Sequence, residues 1–241
     1  QALRQECILP DSGIRAIPFL MMYLLANEKG GVGKSTLATS LAIYLHDLGR
    51  RVAVLDTDKQ MHTARAVAEA EPTIKVGTLF DANQIPKTIR QLAKEYDDIV
   101  ADAPAKLEDE ARALMVMADV AIFPMEPTIK CLRSTQSSVQ VLEFARNITG
   151  GNPREAWLVL NKAKTRTRIF REIELLAPKL GLKVAKTVVR DLQAFPEADQ
   201  QGTVVTRMDS DSASIIKAKE DINKLFREIV KVKNLRKVAN G

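Results

Sequence analysis

A glycine-rich segment near the N-terminus constrains the fold more than any other feature of this sequence. Gly30 to Thr36 has the sequence Gly-Gly-Val-Gly-Lys-Ser-Thr and lies between a short apolar run and a long stretch with helical spacing. Glycines let the backbone curl so that successive N–H groups face one cluster of phosphate oxygens. The positive end of the following helix adds to that attraction. The segment therefore predicts a strand, a phosphate-binding loop and a helix, in that order.

Each polar residue of this segment has an expected partner in a bound nucleotide. Lys34 would reach the β- and γ-phosphates, and the Ser35 hydroxyl would complete a Mg²⁺ shell. The glycine that opens the general phosphate-loop motif is missing, and Lys29 precedes the two glycines instead. The match is therefore to a deviant form of the motif. The residues expected to contact the nucleotide through this loop are Gly30, Gly31, Val32, Gly33, Lys34, Ser35 and Thr36.

The rest of the chain alternates short apolar runs with amphipathic stretches, as expected for strands and helices in turn. The predicted strands are 23–26, 52–56, 74–78, 99–102, 120–124, 157–161 and 184–188. The predicted helices are 34–48, 63–70, 86–95, 107–117, 129–147, 169–180, 192–200 and 214 to about 237. This order indicates an α/β fold, a doubly wound and mostly parallel sheet with helices on both faces. Residues 1–20 are expected to be an extension or a non-native segment, and residues 21–241 a single domain.

Three aspartates follow predicted strands and fit the same site. Asp56 and Asp58 end the second strand, and Asp102 ends the run Ile99-Val100-Ala101. In parallel sheets the ligand crevice lies at the carboxyl ends of the strands, so these acids should converge on the phosphates. One acid can serve Mg²⁺ and another can orient the attacking water.

Composition excludes several other classes of protein. The chain has 241 residues, of which 46% are hydrophobic and only two are cysteines, Cys7 and Cys131. Two distant cysteines do not support a disulfide framework, a cysteine zinc site or an iron–sulfur cluster held by one chain. No apolar run reaches the roughly 18 to 20 residues that a membrane span needs.

Positive charge is concentrated in the last third of the chain. Residues 161–190 contain nine basic and two acidic side chains, and residues 213–241 contain eight basic and three acidic ones. The net charge of the whole chain is only +6, so the remainder is acidic. Such a separated cationic surface favours a polyanionic partner, either nucleic acid or an anionic membrane.

Three segments resemble the motifs of the ParA/MinD family of ATPases. Residues 27–36, Asn-Glu-Lys-Gly-Gly-Val-Gly-Lys-Ser-Thr, resemble the deviant Walker A box of that family. Residues 56–60, Asp-Thr-Asp-Lys-Gln, resemble its second box, and residues 96–104 resemble its Walker B segment. Weaker matches occur at residues 124–127 and 159–162, and the similarity extends from about Met21 to Val230.

The resemblance implies a role for each matching residue. Lys29 would be the lysine that reaches the ATP of a partner subunit in a dimer, and Asp58 would position the attacking water. By the same resemblance, Lys34 would bind the phosphates and Thr36 would contact the α-phosphate. Ser35, Asp56 and Asp102 would lie around Mg²⁺. Asn161 would contact the adenine edge. Two positions depart from the family pattern, since Lys59 replaces a proline and Ala103 a threonine.

Within this family the cationic segments distinguish DNA binding from membrane binding. A ParA-like protein binds DNA without sequence preference as an ATP dimer and carries a cargo through an adaptor, whereas a MinD-like protein binds anionic lipid through a C-terminal helix. DNA accounts for both basic segments and lipid for one, so we expect a cytoplasmic, nucleoid-associated ATPase with no stable membrane association. We also expect slow hydrolysis that a ParB-like or McdB-like adaptor stimulates, as in small partition ATPases or McdA-like carboxysome-distributing ATPases. The expected DNA contacts are Arg166, Arg168, Arg171, Lys186, Arg190, Lys217, Lys219, Lys224 and Arg227.

Overall fold

A computed structural model describes residues 20–106 and 109–230 of the chain. Its strands are β1 (Met21–Leu25), β2 (Val52–Asp56), β3 (Lys75–Thr78), β4 (Asp98–Asp102), β5 (Val120–Met125), β6 (Glu155–Leu160) and β7 (Lys183–Val184). They form one sheet in the order β3-β2-β4-β1-β5-β6-β7. Every adjacent pair is parallel, so the carboxyl ends of all the described strands lie at one edge.

Helices connect the strands and cover both faces of the sheet. They are α1 (Lys34–Asp47), α2 (His62–Ala70), α3 (Ile85–Leu92), α4 (Asp109–Met117), α5 (Ile129–Thr149), α6 (Arg168–Leu176), α7 (Ala194–Gln200) and α8 (Ala213–Ile229). Short 3₁₀ turns occur at Ala82–Gln84, Ala177–Leu180 and Val205–Arg207. No helix in the described ranges is long and apolar enough to span a bilayer.

The core consists of two hydrophobic layers separated by the sheet. Alternate residues of a strand point to opposite faces, and in β1 Tyr23 and Leu25 enter one layer while Met22 and Leu24 enter the other. The first layer includes apolar residues of α1, α7 and α8, and the second includes those of α3 to α6. Because both faces are covered, the interior positions of the central strands are apolar, as the sequence predicted.

The fold confirms the predicted α/β class, and the sheet is more regular than expected because every adjacent strand pair in the described ranges is parallel. The predicted strand 184–188 is the main shortfall, since β7 has only two residues. The reason is a competing acceptor: the backbone N–H groups of Lys186 and Thr187 donate to the carboxylate of Glu228 on α8. Those amides are therefore unavailable to a neighbouring strand.

Two predicted helices end four or more residues earlier than expected. The helix predicted at 169–180 stops at Leu176 and continues as a 3₁₀ turn that contains Pro178, which lacks an N–H to continue α-helical bonding. The last helix ends at Ile229, where Val230 has extended backbone, rather than near Lys237. Residues 1–19, the predicted helix start at Leu107, and the basic tail 231–241 lie outside the described residues.

Candidate nucleotide and metal site

A cleft of about 660 Å³ lies at the carboxyl edge of the sheet, where the glycine-rich loop follows β1. One side of the cleft is formed by residues of the loop and of the first turns of α1, including Lys34, Ser35 and Thr36. Asp58, which follows β2, and Lys162, which follows β6, also line it. The structure therefore brings the predicted phosphate loop and the predicted water-positioning acid into one cleft.

Gly33 is required by both its backbone conformation and its surroundings. Its φ of 88° lies in the left-handed region that favours glycine, and it immediately precedes the first residue of α1. A Cβ built there would lie 2.3 Å from Nδ2 of Asn161. Its carbonyl accepts the N–H of Leu37 at 3.0 Å, which begins the helix. The loop thus turns into α1 without a side chain that could block its amides.

Two residues that follow β6 donate hydrogen bonds to the phosphate loop. Asn161, which is buried, donates Nδ2 to the carbonyl of Val32 at 2.7 Å. Lys162 has a positive φ of 51° and donates Nζ to the carbonyl of Gly31 at 2.7 Å. The adenine contact that the sequence resemblance implied for Asn161 stays a prediction; in this structure the amide of Asn161 holds the phosphate loop. Lys162 was not predicted as part of this site.

The two lysines of the loop occupy different environments. Lys34 is buried and lines the cleft, and its Nζ lies 3.4 Å from the carbonyl oxygen of Lys29. Burial lowers the pKa of Lys34, and Asp102 and Asp58 oppose that effect. A cation partly stripped of water next to the loop amides is suited to bind phosphate oxygens, which would replace the lost hydration.

Lys29 does not line the cleft. Its Nζ donates to Sγ of Cys131 at 3.1 Å and lies 3.8 Å from Oε2 of Glu126. The hydrogen bond to Cys131 is the main cause of a raised Lys29 pKa, so this side chain stays charged. Asn27 fixes the backbone of Lys29, since Oδ1 of Asn27 accepts the N–H of Lys29 at 3.0 Å. The two cations are therefore held apart, one inside the cleft and one beside α5.

Asp102 has the features of a metal-site acid. Its Oδ2 accepts hydrogen bonds from Ser35 at 2.7 Å and from Thr63 at 2.6 Å. Its Oδ1 is buried and has no hydrogen-bond partner within the described residues. Burial raises the pKa of Asp102 to about 6, against the lowering effect of the two hydroxyls. An unpaired buried oxygen is costly, so a cation or a water molecule fits this position.

This donor set fits Mg²⁺ rather than a metal enclosed by protein side chains. Mg²⁺ is usually bound by one or two protein oxygens together with phosphate oxygens and water. Asp102 Oδ1 and the hydroxyl of Ser35 supply such oxygens next to the phosphate loop. In the described ranges, no three His, Cys, Asp or Glu side chains cluster as a metal site.

Asp56 and Asp58 have different surroundings from each other. Asp56 is fully buried, and its two oxygens accept the backbone N–H groups of Asp58 at 3.0 Å and Ala64 at 2.8 Å. Burial raises its pKa. Its hydrogen bonds hold the loop between β2 and α2 in place, and the expected role of Asp56 at the metal stays a prediction. Asp58 is half-buried at the cleft, where a bound water would be accessible.

Part of the cleft lining was missed by sequence reasoning. It consists of Phe195 and Pro196 on α7 and the segment Thr203–Val205. Apolar side chains in the same cleft as a phosphate loop are suited to a planar base. No local pattern distinguishes these residues from ordinary helix and turn residues, and they are brought to the cleft only by the packing of α7 on the first core layer.

The predicted DNA contacts fall into two groups. Six of them make no ion pair within the part of the chain that the structure describes. Five of these six side chains are exposed and one, Lys219, is half-buried; the exposed ones are Arg166, Arg171, Lys186, Lys217 and Arg227. The other three are paired: Arg168 with Glu172, Lys224 with Glu220 and Arg190 with Asp221. Arg190 differs most from the expectation, because its guanidinium turns inward to Asp221, a buried carboxylate.

Comparisons with known proteins agree with this geometry. The sequence profile of the CobQ/CobB/MinD/ParA nucleotide binding domain matches residues 23–240. The chain is 28% identical over 211 residues to the maintenance of carboxysome distribution protein A of Halothiobacillus neapolitanus, covering 86% of this chain and 94% of that protein. It is 26% identical over 217 residues to the chromosome-partitioning ATPase Soj of Thermus thermophilus, covering 76% and 86% respectively.

A solved structure supports the fold independently of sequence. The septum site-determining protein MinD of Pyrococcus horikoshii, complexed with Mg-ADP, superposes with a TM-score of 0.66. The superposition covers 89% of this chain and 98% of that protein, at 20% sequence identity. At that identity the likeness concerns the arrangement of helices and strands.

Proposed function

The chain belongs to the CobQ/CobB/MinD/ParA family of nucleotide-binding proteins, and from that premise we propose that it is a positioning ATPase that dimerises on ATP and binds DNA without sequence preference. In this proposal an adaptor protein links it to a cargo and stimulates hydrolysis. The cargo is a plasmid, a chromosome or a protein organelle such as the carboxysome, in keeping with the names of the relatives.

The separation of Lys29 from Lys34 is the observation that carries the proposal. Lys34 already supplies a cation inside the subunit's own cleft, and Lys29 is held outside that cleft by Cys131 and Glu126. A charged lysine at the rim can reach the phosphates of a second copy, so that ATP becomes the bridge between subunits. A cation supplied in this way also stabilises charge that develops on the γ-phosphate during hydrolysis.

The remaining site residues have consistent roles in this mechanism. The amides of residues 30–36 bind the phosphates, and Phe195 and Pro196 offer a surface for the adenine. Ser35 and Asp102 would hold Mg²⁺, which supplies charge neutralisation at the phosphates when bound. Asp58 accepts a hydrogen bond from the attacking water and orients it, while Asp56 holds the loop that carries Asp58.

The two basic segments are connected along the carboxyl edge of the sheet. Ala163 forms a parallel bridge with Arg190, and Lys164 lies 3.7 Å from Asp191. Arg190 in turn donates to the carbonyl of Lys217 on α8 at 3.1 Å. These contacts join the start of α6 to α8, so the unpaired cations of both segments can meet one DNA backbone. Phosphate contacts of this kind position a protein without specifying sequence.

Offering the ATP-bound protein random-sequence duplex DNA and anionic vesicles in parallel tests the proposal. We expect binding to DNA of any sequence, only with ATP, and a log–log salt slope of roughly −0.9 for each phosphate contact. Arg166→Glu should weaken binding to all sequences alike, because it removes one contact and adds a repulsive charge.

Lys75→Glu is the matched control, since Lys75 is an exposed lysine on β3 at the opposite edge of the sheet. It changes the net charge by the same amount as Arg166→Glu and should leave the DNA affinity within about twofold of that of the original protein. Equal losses in both variants would contradict a defined DNA surface. Vesicle binding without DNA binding would favour a MinD-like membrane-associated ATPase instead.

A further inference from the structure

Thr63 is fully buried against the metal-site acid, although it neither lines the cleft nor belongs to the phosphate loop. Its hydroxyl donates to Oδ2 of Asp102 at 2.6 Å, the same oxygen that accepts from Ser35. Two donors on Oδ2 determine which oxygen of Asp102 remains available. Within the described residues that oxygen is Oδ1, which is buried and has no partner.

The segment from Thr57 to Thr63 carries Asp58 and is attached to Asp102 at both ends. At its start, the backbone N–H and the hydroxyl of Thr57 donate to the Asp102 carbonyl at 3.1 Å and 3.0 Å. At its end, the Thr63 hydroxyl donates to the Asp102 carboxylate. The position of this carboxylate and the conformation of the segment are therefore mechanically linked through Thr63.

The segment also contains a strained residue that needs such an anchor. Met61, which directly precedes α2, has a φ of 53° in the left-handed region and no side-chain cap hydrogen bond. A non-glycine residue keeps this conformation only when its surroundings impose it. The Thr63 hydroxyl and the amide of Ala64, which donates to Asp56 at 2.8 Å, attach the first turn of α2 to the ends of β4 and β2. The branched Cβ of threonine further restricts where its hydroxyl points.

We propose that Thr63 is a positioning residue that couples the magnesium site to the segment carrying Asp58. Its hydroxyl keeps Oδ1 of Asp102 free for the ion and fixes the start of α2, so that Asp58 stays in the cleft. This inference rests on the proposed ATPase function. Thr63 does not line the cleft and acts through Asp102 and the segment.

Thr63→Val tests the role of the hydroxyl, because valine has the same shape and makes no such hydrogen bond. In the full chain we expect ATP affinity without Mg²⁺ to stay within about twofold, since the phosphate loop is untouched. The Mg²⁺ concentration for half-maximal fluorescence change of a labelled ATP should rise about tenfold, and kcat should fall about tenfold. The KM for Mg-ATP at saturating Mg²⁺ should change less than threefold.

Two further variants separate positioning from general destabilisation. Thr63→Ser retains the hydroxyl and should restore Mg²⁺ dependence and kcat to within about threefold of the original. Thr149→Val removes a threonine hydroxyl at the far end of α5, where it donates to the carbonyl of Ala145 at 2.8 Å. It should lower the melting temperature without changing Mg²⁺ dependence or kcat. Unchanged Mg²⁺ dependence in Thr63→Val, or no recovery in Thr63→Ser, would overturn the proposal.

Amide hydrogen exchange of the nucleotide-free protein distinguishes failure of this inference from failure of the proposed function. Peptides spanning residues 57–64 should exchange faster in Thr63→Val than in the original protein, whether or not the protein hydrolyses ATP. In Thr149→Val their exchange rate should equal that of the original protein. If the original protein shows no ATPase activity but this segment exchanges faster in Thr63→Val, the anchoring holds and the proposed function fails. Equal exchange in all the variants would overturn the anchoring itself.

Discussion

At the scale of single residues, Asp102 shows how a functional carboxylate reduces the stability of the free protein. Burial raises its pKa from 3.8 to about 6, so the folded protein binds this proton more tightly than the unfolded chain does. Its contribution to stability therefore falls as the pH rises from about 4 to about 6. Above that range the charged, half-paired carboxylate costs roughly 2 to 3 kcal/mol.

Asp102→Asn should stabilise the nucleotide-free protein at pH 7.5, because an amide can still accept from Ser35 and Thr63 without carrying a buried charge. Thermal unfolding should show a higher melting temperature than that of the original protein at pH 7.5, and a smaller difference at pH 4.5. Mg-ATP should stabilise the original protein and have much less effect on the variant. A variant that melts at or below the original temperature at pH 7.5 would contradict this account of Asp102.

At the scale of secondary-structure elements, Arg190 joins the segment that follows β7 to α8 through ion pairs with Glu220 and Asp221. Arg190 donates to Oδ1 of Asp221 at 2.6 Å and to Oδ2 at 2.8 Å. The Asp221 side chain is only 8% exposed. Removing one partner of a buried pair leaves an uncompensated charge. The pair therefore sets the position of α8 against the sheet edge rather than providing a free cation for DNA.

Arg190→Ala should lower the free energy of unfolding by roughly 2 to 4 kcal/mol, because the Asp221 carboxylate stays buried without its cation. Lys217→Ala, at an exposed position on α8, should change it by less than about 0.5 kcal/mol. Urea titrations measure both values. DNA affinity, measured well below the melting temperature, should fall less in Arg190→Ala than in Lys217→Ala; the reverse order would place Arg190 at the DNA.

At the scale of the whole molecule, ATP should control assembly through Lys29. Lys29→Ala should keep nucleotide binding, because Lys34 remains in the cleft, and should lose ATP-driven dimerisation. Light scattering with and without Mg-ATP measures the mass directly. Lys87→Ala on α3 is the control, since this exposed lysine lies far along the chain from the phosphate loop. A Lys29 variant that still dimerises on ATP would rule out the proposed contact with the partner's nucleotide.

The sequence by itself determined the fold class and the phosphate loop. Short apolar runs located the strands and the hydrophobic period of 3.6 residues located the helices, and glycines at 31 and 33 fall where φ is positive. These features are local: they depend on backbone conformation and on which face of an element is apolar, so the amino-acid order is sufficient to predict them. Asp58 and Asp102 were also predictable, because strand ends in a parallel sheet share one edge.

Only the tertiary structure decided which side chains meet across distant elements. The contacts of Thr63 with Asp102, of Asn161 with the Val32 carbonyl, and of Phe195 with the cleft join residues that are far apart in sequence, and no local pattern predicts these contacts. The pairing of Arg190 with Asp221 likewise depends on how α8 packs. Charge counts located a basic region but not which cations are neutralised, because a salt bridge depends on distance in space. For the same reason β7 is short: Glu228, more than 40 residues away in sequence, accepts the amides of Lys186 and Thr187, which follow β7.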